Sequence, residues 1–342
     1  MTTKKNENKI DEDLQSRTLL TFGIDTLQKL SSMKILIVGM RGLGIETAKN
    51  IILTGPGEVD IFDPSLVKIN DLGSNFFLSE NDVGKKNRDD ACVEKLSELN
   101  PYVKVSVLKM KEKKDENDYI NLFCENVKTK KYNVVVFTEF QPMNFIEQVD
   151  KVCREQNIKL IYGFCFGLVG YIFTDFGENH TIFDETGNEL KKYLLRSISK
   201  DTEGFVVIDD IQGTNKLELG DGDFVKFKDV GGMTELNDEE KEFQIDDVYP
   251  FSFKIGDTSN FSEYTKGGVV YEIRKPKTMQ YLDFSSVSNK IRNLEQGLNS
   301  CDPTKIGRAE LLYLAFIGVH EFYLKNKSTL PELNNMEQAK VI

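Results

Sequence analysis

Residues 35–44 read ILIVGMRGLG, and IETAKNIILTG follows at 45–55. A short aliphatic run, three glycines and a helix-periodic stretch give strand, tight turn and helix in that order. The physics of that order suits a nucleotide, because glycines let backbone approach phosphates and a helix start offers unpaired N–H groups. A buried strand and a close-packed helix need the same glycines with no ligand at all. The spacing Gly39-x-x-Gly42-x-Gly44 also departs from the dinucleotide fingerprint G-x-G-x-x-G. Met40 and Arg41 fill turn positions where they are expected to crowd a pyrophosphate. The second strand, Glu58–Phe62, ends at Asp63, where a ribose-binding carboxylate belongs, but Pro64 follows and stiffens the turn. Two readings stay open: a live nucleotide site, or a doubly wound fold whose site is degenerate or empty.

Working outward, strand and helix signals alternate through residue 165. A helix is expected over Ser16–Leu30, a strand over Lys34–Val38, and a helix from Gly44 to about Leu53, broken by Gly55-Pro56-Gly57. Asp89–Glu98 reads as helix and Val103–Leu108 as strand. Residues 111–131 read as a short surface helix, Tyr132–Thr138 as a buried strand, Phe145–Gln156 as helix and Lys159–Phe164 as strand. Apolar strands under helical crossovers indicate an α/β, Rossmann-like, mostly parallel sheet. From Gly167 to Arg274 the pattern changes to short strand-like runs separated by Gly-Asn, Gly-Asp and Gly-Gly, the signature of an inserted all-β module or barrel. Val287–Leu298 and Arg308–Leu324 then read as helices, the start of a helical bundle.

Composition bounds the function. The 342 residues are 39% hydrophobic, enough for two or three domains with real cores. No run of about 18 apolar residues occurs, so no membrane span is expected. The first residues, MTTKKNENKIDEDLQSR, lack the apolar segment of a signal peptide. Cysteines at 92, 124, 153, 165 and 301 form no C-x-x-C, and His180 and His320 lack metal-spaced companions. Neither a zinc site nor a disulfide framework is indicated; reduced thiols in an intracellular protein are expected. The net charge is −11, and residues 201–250 alone hold fifteen Asp and Glu against four Lys and no Arg. That segment is a solvated face or a docking surface for a basic partner, and it argues against nucleic acid or anionic membrane there.

Few side chains suggest chemistry. Both histidines read as packed or capped, and Cys92 and Cys165 as inert thiols without a visible base. Arg17, in SRTLLTFG ahead of the first strand, offers a planar fork of donors suited to phosphate in its own chain or a partner; a surface ion pair is the plain alternative. Arg41 could equally bind an acid of a facing domain.

The stretches LQSRTLLTFG (14–23), VGMRGLGIETAKNIILTGPGEVDIFD (38–63), DLGSNFFLSENDVGKKNR (71–88), GLVGYIFTDFG (167–177), GDFVKFKDVGGMTELN (220–237) and YPFSFKIGDTSNFSEYTKGGVVYEIRKPK (249–277) resemble the N-terminal part of single-chain ubiquitin-activating enzymes, the E1 family. The resemblance implies an inactive adenylation domain over 1–175, a β-rich first catalytic-cysteine half-domain over 176–266 and part of a helical bundle over 267–342. It implies a piece of a longer enzyme whose active half, absent here, binds ATP and Mg2+ and adenylates the C-terminus of ubiquitin. A cysteine of a later domain then takes ubiquitin as a thioester, and further domains recruit ubiquitin-conjugating enzymes. Cytoplasm and nucleus are the implied locations.

Residue by residue, Arg17 matches the arginine that reaches the ATP of the active half. Gly39, Gly42 and Gly44 match the degenerate glycine turn of the inactive half, and Asp63 the end of its second strand. No cofactor and no metal are expected on this half. An active half would show G-x-G-x-x-G, D-x-D after strand two and a later N-x-x-R-Q. Here stand GMRGLG, Asp63-Pro64-Ser65 and Leu72-Gly73-Ser74-Asn75. The second carboxylate for magnesium and the phosphate-binding arginine are missing from that pattern. An inactive subunit of a heterodimeric activator for another modifier is the nearest alternative, disfavoured by the β insertion. A nucleotide-dependent Rossmann enzyme is more distant still.

Overall fold

In the computed structural model, residues 16–110, 116–167, 169–184, 187–209, 216–292, 309–326, 329–332 and 335–340 are described. They form two units, 1–179 with 280–342, and 180–279.

The first unit is built on the KILIV run. As β1 (Lys34–Val38) it sends Ile35 and Ile37 to one face and Leu36 and Val38 to the other, all buried. Parallel neighbours flank it: β2 (Glu58–Phe62) on one side and β4 (Val134–Phe137) on the other. With β3 (Lys104–Val107), β5 (Lys159–Phe166) and β6 (Val169–Asp175), the sheet order is β3-β2-β1-β4-β5-β6. Each face is covered by helices. Ile45, Ala48 and Ile52 of α3 (Gly42–Thr54) and Cys92 and Leu96 of α4 (Arg88–Ser97) pack on the Ile35 and Ile37 side. Ile120, Phe123 and Val127 of α5 (Glu116–Lys130) and Phe145, Ile146 and Val149 of α6 (Met143–Glu155) pack on the Leu36 and Val38 side. This is the doubly wound arrangement, and its strand order reverses between β1 and β4.

Three expectations need correction here. The first helix is two, α1 (Ser16–Phe22) and α2 (Ile24–Ser32), because Gly23 takes φ +78° between them. The segment read as a short surface helix is α5, which buries three large side chains at 2% exposure or less. Its charged residues disguise an apolar stripe that covers the sheet. VGYIFTDF does not open the β module: as β6 it returns from β5 through a tight hairpin and pairs antiparallel with it from Phe166↔Val169 to Leu160↔Asp175.

The chain leaves and re-enters this unit at one tied point. Arg154 donates to Asp175 (2.5 and 3.2 Å) and to the carbonyl of Tyr281 (2.5 Å), while Tyr281 N–H donates to the carbonyl of Gly177 (3.1 Å). Beside it, Asp150 accepts the Phe284 N–H at the start of α7 (Phe284–Arg292) at 2.7 Å. Helices α8 (Ala309–Lys325) and α9 (Met336–Ala339) follow. The latter part of the helix expected over Val287–Leu298, and Cys301, lie outside the described residues. No helix among the described residues is long and apolar enough to cross a membrane.

The second unit is antiparallel. Beyond the short β7 (His180–Ile182), it holds β8 (Lys192–Ile198), β9 (Phe205–Ile208), β10 (Phe224–Lys228), β11 (Phe243–Gln244), β12 (Asp246–Tyr249), β13 (Ser252–Lys254) and β14 (Val269–Ile273). Their order is β11-β10-β14-β8-β9-β13-β12. The terminal strands, β11 and β12, are separated in sequence by Ile245 alone, which is fully buried. One continuous segment therefore serves both edges of the sheet and closes it into a barrel around Val206, Val225, Met233, Leu236, Phe253 and Val270. The unit runs past residue 266, the expected end of the insertion. β14 bonds to both β10 and β8, and β15 (Lys277–Met279) pairs with β7.

Candidate functional site

The crevice where a nucleotide would sit in such a sheet lies beyond the carboxyl ends of β1 and β4. Its floor is the glycine turn. Gly39 takes φ +96°, and a Cβ there would meet Glu139 Cγ and Thr138 Oγ1 at 2.8 Å. A Cβ on Gly44 would stand 2.0 Å from the carbonyl oxygen of Gly39, so α3 reaches the turn only because residue 44 is glycine. Thr138 Oγ1 closes the arrangement by donating to the carbonyls of Val38 and Gly39, both at 2.9 Å. The glycines are thus accounted for by packing alone.

Carboxylates and an arginine occupy the rest. Met40 N–H, an amide of the turn, donates to Asp63 Oδ2 at 2.9 Å. Arg88, 2% exposed, enters from the first turn of α4 and donates through Nη1 to both oxygens of Asp63 (3.3 and 3.2 Å) and through Nε to Asp71 Oδ2 (2.7 Å). Asp71 also caps its own turn by accepting Lys68 N–H at 2.8 Å. Asn75 Nδ2 donates to the Met40 carbonyl (2.7 Å) and to Cys92 Sγ (3.3 Å). Asp89 accepts the Asp63 N–H at 3.0 Å. At the mouth, Arg41 Nε lies 3.6 Å from Asp71 and 3.8 Å from Glu139.

Titration follows burial. Burial lifts the Asp89 carboxyl above the ordinary range against the pull of the Asp63 and Asp90 N–H groups. Burial, and then the charge of Asp63, lift Glu139, with Arg41 and Arg88 opposing. For Arg88, burial acts against the cation, but Asp63, Asp71 and Glu139 outweigh it and hold the guanidinium more firmly protonated. Burial pushes the Cys92 thiol up to about 11, which leaves it inert at neutral pH.

The structure brings Gly39, Gly42, Gly44 and Asp63 together, as the sequence requires. Met40 corrects its expectation: its side chain is fully buried among Ile45, Ile61 and Leu96, and cannot crowd a ligand. Arg17 lies elsewhere, exposed on α1, and its guanidinium has no ion pair among the described residues. Its neighbours Leu20 (91% exposed), Phe22 and Ile24 are also uncovered. His320 is buried on α8 against Phe140 and Phe316, with rings 4.6 and 4.5 Å apart. His180 opens β7 opposite Met279. Among the described residues, no group of three or more His, Cys, Asp or Glu is placed to hold a metal ion.

Arg88, Asp71, Thr138 and Glu139 escape a reading of the sequence as site residues. One signal was present for Arg88: a cation in the first turn of a helix opposes the helix dipole and needs an acidic partner to sit there.

The structure is thus a doubly wound α/β unit that seats Arg88 between Asp63 and Asp71 beyond the ends of its strands, followed by an antiparallel β unit. Residues 15–200 match the ThiF family model, and residues 201–274 match the ubiquitin-activating enzyme E1 FCCH domain. The chain belongs to the ThiF family. It is 38% identical over 338 residues to ubiquitin-like modifier-activating enzyme 1 of Dictyostelium discoideum, covering 98% of this chain and 31% of that protein. It is 39% identical over 321 residues to ubiquitin-activating enzyme E1 2 of Arabidopsis thaliana, with coverages of 93% and 28%. The chain therefore spans about 30% of the length of the curated relatives it matches. Among solved structures, Escherichia coli MccB with ATP aligns at a TM-score of 0.37 and 23% identity, over 46% of this chain and 45% of that one.

Proposed function

We propose that this chain supplies the non-catalytic adenylation half of a ubiquitin-activating enzyme. In that reading it scaffolds a second, active half and donates Arg17 to the ATP site there. The observation that carries it is the crevice: Met40 N–H is held by Asp63, and Arg88 fills the space between Asp63 and Asp71. A triphosphate would have to displace these bonds and face Asp63, Asp71, Asp89 and Glu139 with only Arg41 and Arg88 to offset them. The residues do not fit the nucleotide, and no step of catalysis runs through this crevice.

Arg17 supports the other side of the proposal. A guanidinium with no ion pair among the described residues, beside exposed Leu20, Phe22 and Ile24, is suited to a surface that a partner covers. Reaching a phosphate across such an interface, it would stabilise charge as it develops on the adenylating ATP. ATP and Mg2+ then belong to the whole enzyme, with ubiquitin and ubiquitin-conjugating enzymes as partners and cytoplasm and nucleus as its locations. The match of residues 201–274 to an E1 FCCH domain supports ubiquitin over another modifier as the substrate.

The test is ubiquitin-dependent exchange between pyrophosphate and ATP. The chain alone, with Mg2+, should give background exchange, and adding an active half should restore it. Robust exchange by the chain alone would overturn the assignment.

A further inference from the structure

The barrel unit is strongly acidic: residues 180–279 contain twenty-one Asp and Glu against thirteen Lys and Arg. One face of it is the reverse. Strands β10, β14 and β8 lie side by side, and their register aligns Lys226 with Tyr271 and Lys192, and Lys228 with Val269 and Leu194. Val225, Phe227, Val270 and Leu195 point into the barrel, so the alternate residues point out. The outward positions on these strands are therefore Phe224, Lys226, Lys228, Val269, Tyr271, Ile273, Lys192 and Leu194, with exposed Arg196 at the β8 bulge. None is acidic.

Two features separate this face from an ordinary solvated surface. Its centre is apolar and uncovered, with Leu194 54% and Tyr271 36% exposed. Its cations divide into two kinds. Lys226 and Lys275 are tied at one margin to Glu242 (3.7 and 3.0 Å), and Lys275 also lies over the Phe224 ring at 3.6 Å. Lys192, Arg196 and Lys228 have no ion pair among the described residues, in a unit where carboxylates outnumber cations.

We infer that this face docks an acidic amphipathic helix of a partner protein, its apolar stripe on Leu194, Val269 and Tyr271 and its carboxylates toward Lys192, Arg196 and Lys228. Charge complementarity selects the acidic partner. Dimensions select the helix: three strands span about 10 Å, close to the width of one helix with its side chains. A strand has no place to add, because β10 and β8 are already paired on both sides, with β11 and β14, and with β14 and β9.

The test uses the whole chain and a labelled helical peptide of leucine and glutamate, with the leucines on one face. Fluorescence anisotropy should show saturable binding, weakened at least tenfold by Lys192→Glu with Lys228→Glu and, separately, by Leu194→Ser. The same peptide with lysine in place of glutamate should not bind. All three substituted positions are exposed, and circular dichroism would verify that each variant is folded. Failure of the peptide to saturate would overturn the proposal. So would equal binding of polyglutamate or single-stranded RNA, which would mark a general polyanion surface, and so would affinity unchanged by the substitutions.

Discussion

The crevice of the parallel sheet and the outer face of the barrel handle cationic side chains in opposite ways. Arg88 is withdrawn from water and answered by two carboxylates of its own chain. Lys192, Arg196 and Lys228 stand in solvent with no ion pair among the described residues, although acids abound in the same unit. A buried charge must be paired within the fold, and Arg88 finds its partners in Asp63 and Asp71. An exposed charge needs no internal partner and stays available to an external one.

The largest effect should come from breaking the first half of that contrast. Arg88→Met leaves Asp63 buried without its cation and Asp71 with only the half-exposed Arg41 at 3.6 Å, and should destabilise the parallel-sheet unit by about 3–5 kcal/mol. Adding Asp63→Asn and Asp71→Asn should recover part of the loss. Chemical denaturation of the series is the measurement; a loss below about 1 kcal/mol for Arg88→Met would show that the ion pairs are not what closes the crevice.

A second buried acid sharpens the comparison through pH. Burial pushes Asp150 up to about 7. Asp175 raises it further, while Arg154 and the Phe284 N–H oppose; Glu147, Lys151 and Asp283 line the adjoining cleft. The folded state thus holds a proton that the unfolded chain releases near pH 4. Stability from this group is complete below about pH 4, falls as pH rises from there to about 7, and stays lost above. The full change is on the order of 4 kcal/mol. Asp150→Asn should flatten this part of the profile, read from denaturation midpoints between acid and neutral pH. An unchanged slope would remove Asp150 from the account.

Arg17 belongs with the exposed group, and its substitution should touch activity without touching stability. In an enzyme assembled with an active half, Arg17→Ala should raise the adenylation barrier by about 2–4 kcal/mol. Its folding stability should stay within about 0.5 kcal/mol. Single-turnover kinetics would separate adenylation from thioester transfer. Slow transfer with normal adenylation would refute the role.

The smallest effect concerns ubiquitin and the chain by itself. With the active half carrying most recognition, affinity should be weak, roughly 0.1–1 mM, and should fall with added salt as exposed charges are screened. Micromolar binding indifferent to salt would reveal a primary apolar site for ubiquitin on this chain and overturn that division of labour.

Much of the sheet was legible because its signals are local. The ILIV run, the glycines at 39, 42 and 44 and the break at Gly55-Pro56-Gly57 specify strand, turn and helix within a few residues of themselves. Errors arose where a local pattern had two tertiary outcomes. VGYIFTDF has the alternation of a barrel strand, yet pairs with β5, because the tight hairpin at Gly167 leaves it no other neighbour. The charges of 116–130 hide a stripe of Ile120, Phe123 and Val127 that matters only once a sheet lies beneath it. The departure of the glycine turn from the fingerprint spacing was readable, whereas the pairing beside it was not, since Asp63, Asp71 and Arg88 are far apart in the chain and meet from a strand end, a turn and a helix start.

By itself, then, the sequence determined which segments are strands and helices, that the sheet is doubly wound, and that its phosphate turn departs from a working one. Those properties follow from side-chain periodicity and from glycine geometry, which act over one to four residues. Tertiary structure alone decided that Arg88 fills the crevice, that β11 and β12 close the barrel through Ile245, and that Lys192, Lys228 and Leu194 share one outward face. Each of these depends on residues far apart in the chain meeting at a few ångströms. Burial and hydrogen-bond satisfaction choose among such meetings only after the whole chain has packed.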